Sequence, residues 1–498
     1  MAIGTEIGME IGILACGAYI PRRRLARKSV ADANAWFNPA LKGQAKGERS
    51  MCNWDEDAVT MAVAAARDCL TGLPRDPIRA VQLASTSFPF EDRLNSGIVA
   101  QALNLGPEIS ALDVGSSQRA ATSGLAAALE GAAGNDGEVL FLASEKRRTK
   151  AGSTLEMTSG DGAAALLIGA GKVIARLIGA HSRTVDFVDH YRGQGFAYDY
   201  VWEERWIRDE GYAKIVPATL AGLFRKCAVE PGSIAHFCMP CTLGKVAASV
   251  AKKAGIAEGA VRDNLHAVCG ETGSAHALVM LADALAVAKP GERILVVGFG
   301  QGCDALLFET TAELQQLPPR MGVRGYLARR REETNYNRFL AFNELVTIER
   351  GMRAELDKQT ALSTLYRKRD MILGLIGGRC GKCGTLQFPK SNVCVNPGCN
   401  AFHTQTDHPF ADMSGKVNSH TADQLTYSPD PPAICGMVQF DTGGRLMMDF
   451  TDVDMAEVSV GLPMRMVFRI KDFDAQRGFT RYFWKATPAG AAKEAGHG

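Results

Sequence analysis

The sequence predicts a layered α/β domain of two similar halves, followed by a helical connector, a four-cysteine metal ribbon and a small β-barrel. Three observations carry this expectation. Between about residues 10 and 311 the chain is rich in Gly, Ala and Val and repeats one layout. A small-residue helix over 116–133 precedes an apolar strand over 139–143, and a helix over 272–288 precedes another over 294–297. Uninterrupted apolar strands are those covered on both faces. Further on, four cysteines crowd into one short window, and after them short β-like runs are punctuated by Gly and Pro.

Taken in order, the apolar stretch 11–20 follows Glu6 and Glu10 and precedes Arg22, Arg23 and Arg24. That charge order is wrong for a secretory signal, so the stretch reads as an internal strand. Apolar segments at 81–84, 163–168 and 305–308 add buried strands to the same layered domain. A chain of 498 residues exceeds one ordinary core. The expected division is an α/β domain over 1–318, a connector over 319–375, a ribbon over 376–405, a barrel over 406–488 and a tail over 489–498. The connector opens on a charged run at 329–333 and spaces apolar residues helically over 345–373. β-like runs at 433–440, 446–450 and 464–470, separated by Pro431-Pro432, Gly443-Gly444 and Gly461 to Pro463, make the barrel OB-type.

Composition excludes several classes. With 46% hydrophobic and 22% charged residues and a net charge of +2, nothing points to nucleic acid as the partner. No segment reads as membrane-spanning. Thirteen cysteines, nine of them scattered without framework spacing, indicate a reducing compartment, so the expected location is cytoplasmic.

The remaining four, Cys380, Cys383, Cys394 and Cys399, form two knuckles of C-x2-C and C-x4-C type. Four thiolates on two tight turns close a tetrahedral shell around Zn²⁺, leaving no position for water, so the site is structural rather than catalytic. Iron uses the same ligand set and stands as the competing metal.

The first domain resembles hydroxymethylglutaryl-CoA synthases and, more distantly, ketoacyl synthase III and thiolases. The resemblance rests on the opening strand and turn at 12–21, the helix after Asp55, the Gly160-Asp161-Gly162 strand and the Gly-rich strand and loop at 288–300. The ribbon and barrel resemble acyl-CoA-binding accessory proteins found with thiolases, related synthases and aldolases. This implies a thiolase-like fold, CoA as part of the substrate, an acyl-CoA thioester partner and a homodimer through the first domain.

The departures from that family are chemical. Its nucleophilic Cys falls on Gln118, its His on Pro240, its Asn on Glu271 and its general-base Glu on Thr86. An acyl-enzyme needs a thiolate with an activating partner, which glutamine and proline do not supply. Cys238, Cys241 and Cys269 sit near these positions, but free cysteines commonly act as small buried hydrophobes.

Several groups remain for chemistry. Gly298, Gly300 and Gly302 form a loop whose N–H groups are expected to face a thioester oxygen, with a glycine-requiring turn as the plain alternative. Glu271 is either a general base or an acidic complement to a helix start capped by Thr272. His276 and Gln118 are the further catalytic candidates. Thr86, Pro240 and Cys241 are expected to line the substrate pocket. Arg22 to Arg24 and the basic run 146–150 suit nucleotide phosphates or plain solvation.

A base and an oxyanion hole without a nucleophile suit reactions through a thioester enolate, aldol or retro-aldol chemistry first, Claisen chemistry and decarboxylation next. The reading from another class is a catalytically degenerate acyl-CoA-binding scaffold subunit that serves a thiolase-like partner chain.

Overall fold

The computed structural model describes residues 10–132, 137–359 and 361–490. The expectation that used Glu6 falls outside them. The described residues divide into two compact units. One takes the chain up to Cys52, Asp57–Val99 and Pro107–Val346; the other takes Asn53–Glu56, Ala100–Gly106 and everything from Thr347 onward.

In the first unit a nine-stranded sheet carries both halves. Its spatial order is Ile234–Cys238, Arg293–Phe299, Gly302–Thr310, Ala175–Thr184, Ile11–Tyr19, Gly162–Ala170, Glu138–Glu145, Ile78–Ala84 and Ser110–Val114. The repeat is visible in the pairing. Ile11–Tyr19 runs antiparallel to Gly162–Ala170, which runs antiparallel to Glu138–Glu145, itself parallel to Ile78–Ala84. Ala175–Thr184, Gly302–Thr310, Arg293–Phe299 and Ile234–Cys238 repeat those relations in the same order. The halves join where Gly12 and Ile13 pair with Arg176 and Ala175.

Small residues let the layers approach. The helix Ala120–Ala132 lies so close to the strand Arg293–Phe299 that a Cβ on Gly298 would stand 2.0 Å from Thr122 Oγ1. The same helix is tied to the sheet by Asp304, whose carboxylate accepts from Thr122 Oγ1 (2.9 Å), Ser123 Oγ (2.6 Å) and Arg119 (2.7 Å). In the helix Ala58–Cys69, Asp57 and Thr60 form a reciprocal capping box that satisfies two helix-end donors.

The other unit holds the ribbon and the barrel. The strands Arg445–Asp449, Ala433–Phe440, Gly415–Asp423, Pro463–Asp474 and Phe479–Pro488 form one sheet in that order. A parallel bridge from Phe450 to Ala486 closes it, as an OB-type barrel requires. Its buried filling includes Val438, Phe440, Phe468 and Trp484, whose indole N–H donates to Leu373 O at 2.7 Å. Arg469 is buried against Glu56 (3.0 Å) and Asp452 (2.8 Å), and Lys485 against Asp55 (2.8 Å). A buried cation left without such a partner is strongly destabilising.

The connector is helical as expected, with the helices Gly322–Ala328 and Tyr336–Phe342 burying Val323, Tyr326, Phe339 and Phe342, but its second part is less regular. The helical spacing over 345–373 yields only a 3-10 turn at Met352–Ala354 and the short helices Leu362–Arg367 and Arg369–Ile372. Met352, Leu356 and Leu362 stay exposed while Leu373 is buried, and short helices with so little packing are marginal. No helix among the described residues is long and apolar enough to cross a membrane.

Candidate functional site

Gln118 sits just ahead of the helix Ala120–Ala132 on a fixed turn. Ser116 has φ +70°, and Arg119 anchors the turn by donating to Gly300 O (3.0 Å) and to Asp304. Glu271 is held from the other half. Its N–H donates to Thr158 O at 2.8 Å and its carbonyl accepts from Gly160 N at 2.8 Å. The two side chains meet, with Gln118 Nε2 donating to Glu271 Oε1 at 3.5 Å.

Arg147 joins them, which removes this one residue from the basic run 146–150 read as phosphate-binding or solvated; Arg148 and Lys150 stay exposed. The side chain is 7% exposed. Its Nη2 donates to Gln118 Oε1 (2.5 Å), its Nη1 lies 3.9 Å from Glu271 Oε2, and its Nε lies 2.8 Å from Asp199 Oδ2. Nη2 also faces His190 Nε2 at 3.2 Å, and His190 Nδ1 lies 2.9 Å from Asp189 Oδ2. Arg192 pairs with the other Asp199 oxygen at 3.1 Å and donates to Thr86 O.

Thr86 is attached through Glu145, whose Oε2 accepts from Thr86 N (3.1 Å), Thr86 Oγ1 (3.0 Å) and Ser274 Oγ (2.8 Å). Glu145 thereby ties the 85–87 loop to the turn that follows Glu271. Tyr212 lies on a π-helical stretch, Ile207–Ile215, and stacks on Phe299 at 4.3 Å. Burial, then the charges of Cys241, Asp189 and Glu271, push its phenol well above the usual range, so it stays a neutral hydroxyl.

Other predicted residues are placed differently. His276 is 1% exposed, and both ring nitrogens are occupied. Nδ1 lies 3.1 Å from Thr272 N and Nε2 lies 2.7 Å from Asn264 O. Burial lowers its pKa, so it is a neutral structural bridge in this geometry. Thr272 makes no side-chain cap; the α-helix proper begins later, at His276. Of the loop glycines, Gly298 packs against Thr122, a Cβ on Gly302 would stand 2.2 Å from Arg183 O, and a Cβ on Gly300 would stand 3.0 Å from Gln118 Cβ. The Gly300 N–H donates to Gly302 O at 3.1 Å, so in this geometry it is engaged within the loop.

Arg23 and Arg24 are buried. Arg23 pairs with Glu333 at 2.8 Å and Arg24 donates to backbone carbonyls, including Tyr326 O at 3.3 Å, which removes both from phosphate binding. Pro240 is half-buried beside Cys241. Burial raises the thiols of Cys241, Cys238 and Cys269 to about 11, 12 and 12. At neutral pH they are protonated and poorly nucleophilic.

Sequence reasoning missed Arg147 as a site residue, together with Asp189, His190, Asp199 and Tyr212. The available signal was compositional. For Asp189, His190 and Asp199, residues 186–206 interrupt a Gly/Ala/Val-rich domain with a dense mixture of Asp, His, Arg and aromatic side chains; Arg147 and Tyr212 lie outside that stretch and carried no such signal.

In the ribbon, the sulfurs of Cys380, Cys383, Cys394 and Cys399 all lie within 4.8 Å of one another. Cys380 and Cys399 are 4.0 Å apart, Cys383 and Cys394 3.5 Å. A tetrahedral site with Zn–S bonds of about 2.3 Å has S···S edges of about 3.8 Å, so the donor set fits zinc and leaves no disulfide.

Comparisons with known proteins agree with this architecture. Residues 224–308 match the C-terminal region of 3-oxoacyl-[acyl-carrier-protein] synthase III. Residues 373–402 match the rubredoxin-like zinc ribbon domain of ChsH2, and 412–469 its C-terminal OB-fold domain. Among solved structures, a hydroxymethylglutaryl-CoA synthase complexed with CoA superposes with TM-score 0.58 at 20% identity, covering 80% of this chain and all of that one. OleA of Xanthomonas campestris gives TM-score 0.54 at 18% identity, covering 61% of this chain and 99% of the other. The first unit is thus a thiolase-superfamily α/β domain, fused here to a zinc ribbon and an OB-fold. Within that class, the chain belongs to the hydroxymethylglutaryl-CoA synthase family. The synthase of Aeropyrum pernix is 32% identical over 341 residues, 67% of this chain and 94% of the relative, and that of Methanocaldococcus jannaschii is 29% identical over 344 residues.

Proposed function

We propose that the chain makes or cleaves a C–C bond in a CoA thioester by aldol-type chemistry, through a thioester enolate and without a covalent acyl-enzyme. The observation that carries this reading is the Gln118–Arg147–Glu271 cluster, Arg147 and Glu271 buried and Gln118 half-buried, with Gln118 and Glu271 at the positions where the family's Cys and Asn fall. The family relatives are named as hydroxymethylglutaryl-CoA synthases, and a solved relative is complexed with CoA, which supports an acyl-CoA substrate.

In this reading the enolate charge is met by side chains. The guanidinium of Arg147 and the amide of Gln118 face the thioester oxygen, since the Gly300 N–H is engaged within the loop. A fixed cation in a dry site stabilises developing negative charge without reorganisation. For cleavage of a β-hydroxyacyl thioester, the Glu271 carboxylate takes the hydroxyl proton. The C–C bond electrons pass into the enolate, and a carbonyl compound leaves. Thr86, Pro240 and Cys241 are assigned to the pocket wall, and zinc in the ribbon to structure. A homodimer through the first domain is part of the proposal.

The test is incubation of the purified chain with a panel of β-hydroxyacyl- and acyl-CoA thioesters, with products read by mass spectrometry. Cleavage or condensation products support the lyase. Absence of turnover by the chain alone, with activity appearing in an added thiolase-like partner, replaces it with the scaffold.

A further inference from the structure

Enolate chemistry moves two protons, one at the oxygen of the β-carbon and one at the α-carbon. Glu271 accounts for only one of them. We infer that the Asp189–His190 pair, from a part of the chain that carries none of the family's catalytic positions, handles the α-carbon proton. The inference rests on the enolate reading above.

Three observations carry it. His190 Nδ1 lies 2.9 Å from Asp189 Oδ2, in the arrangement that places the proton on Nδ1 and the lone pair on Nε2. Nε2 points to the cluster and accepts from Arg147 Nη2 at 3.2 Å, the nitrogen that also donates to Gln118 Oε1 at 2.5 Å, so proton transfer at Nε2 requires that Arg147 turn to the thioester oxygen when substrate binds. The pair is also held in place. Asp189 O accepts from Trp202 N at 2.9 Å, His190 O accepts from Gln301 Nε2 at 3.2 Å, and the strands His190–Tyr191 and Tyr200–Val201 clamp the segment. Asp189 Oδ1 is buried with no hydrogen-bond partner among the described residues, so the carboxylate's hydrogen bond there is to the imidazole. The charged groups around the ring are Asp189 and Arg147, with Asp199 and Arg192 behind Arg147 and Glu271 across it.

The bookkeeping of protons closes. In condensation, His190 takes the α-hydrogen through Nε2 and the C–H electrons form the enolate. The enolate carbon bonds to the carbonyl carbon of the second reactant, whose C=O π electrons pass to oxygen. That alkoxide takes the proton held by Glu271, while Asp189 stabilises the imidazolium. In cleavage, Glu271 takes the hydroxyl proton, the Cα–Cβ electrons form the enolate, and imidazolium Nε2–H protonates the α-carbon. Solvent exchange resets both groups, and no further reactant is consumed.

The experiment separates the two transfers. The chain is incubated in D2O with propionyl-CoA and longer acyl-CoA thioesters, and α-deuterium uptake is followed by mass spectrometry alongside cleavage of the β-hydroxyacyl panel. His190→Gln and Asp189→Asn are compared with Glu271→Gln, with folding checked by circular dichroism and thioester binding by calorimetry. Expected results are a fall in exchange of roughly 10²-fold or more in His190→Gln, and a Glu271→Gln variant impaired more in cleavage than in exchange. Exchange at the parental rate in a folded, thioester-binding His190→Gln variant overturns the assignment and leaves the enolate reading standing. A parent chain that neither exchanges nor cleaves any thioester overturns the enolate reading and this inference with it.

Discussion

The four-cysteine ribbon and the Gln118 cluster each join a few polar groups, but they are assembled in opposite ways. The ribbon draws all four ligands from the stretch between Cys380 and Cys399, on two tight turns. The cluster draws Gln118, Arg147, His190 and Glu271 from widely separated segments that only the nine-stranded sheet brings together. A local site is fixed by spacing and chemistry, and closing its shell contributes directly to folding. A distributed site is fixed by the packing of its scaffold, and its chemistry depends on which charges survive there.

The largest effect is expected in the ribbon. Structural zinc binds with an apparent free energy of about 10–16 kcal/mol in small zinc domains, so loss of one thiolate is not absorbed. Cys394→Ser is expected to abolish stoichiometric metal and unfold residues 376–409, read by elemental analysis and hydrogen exchange. Unchanged metal content would break the first half of the comparison, and the same analysis distinguishes zinc from iron.

In the cluster, Glu271→Gln preserves shape and removes a charge. Turnover is expected to fall roughly 10²–10⁴-fold, about 3–5 kcal/mol of barrier, while thioester binding stays near parental. Parental turnover would make Glu271 only a helix-end charge. Gly298→Ala probes the scaffold instead. A Cβ 2.0 Å from Thr122 Oγ1 must displace the helix that leads out of Gln118, at an expected cost of about 1–3 kcal/mol read by thermal denaturation. An unchanged melting temperature would show that the cluster does not depend on this close approach.

The smallest effect concerns the thiols. The folded pKa values of Cys241, Cys238 and Cys269 are raised by burial to about 11, 12 and 12, so the protonated form persists until pH approaches those values. Iodoacetamide at pH 8 is expected to leave them unlabelled in the folded chain, with peptide mapping as the readout.

What the sequence disclosed follows the same division. The knuckles were legible because ligand spacing is itself the geometry. The two-half sheet was legible because continuous apolar strands and Ala/Gly helices recur in order. Gln118 and Glu271 were found through resemblance, and the structure brings them within 3.5 Å. Arg147 was hidden among surface-like basic residues, because burial of a lone arginine depends on partners as distant in sequence as Asp199 and Glu271. His276 misled for the converse reason. Its place at the helix start looked catalytic, but its ring is consumed by Thr272 and Asn264. The 345–373 stretch shows that periodicity with little surface to bury against makes only short helices.

The central claim is thioester chemistry without an acyl-enzyme, and mass measurement tests it most directly. The chain is incubated with acyl-CoA thioesters and weighed twice, first under native and then under denaturing conditions. The account predicts a native mass that includes the intact thioester and a denatured mass identical to that of the untreated chain. A denatured mass raised by one acyl group, mapped to Cys241, Cys238 or Cys269, would contradict it.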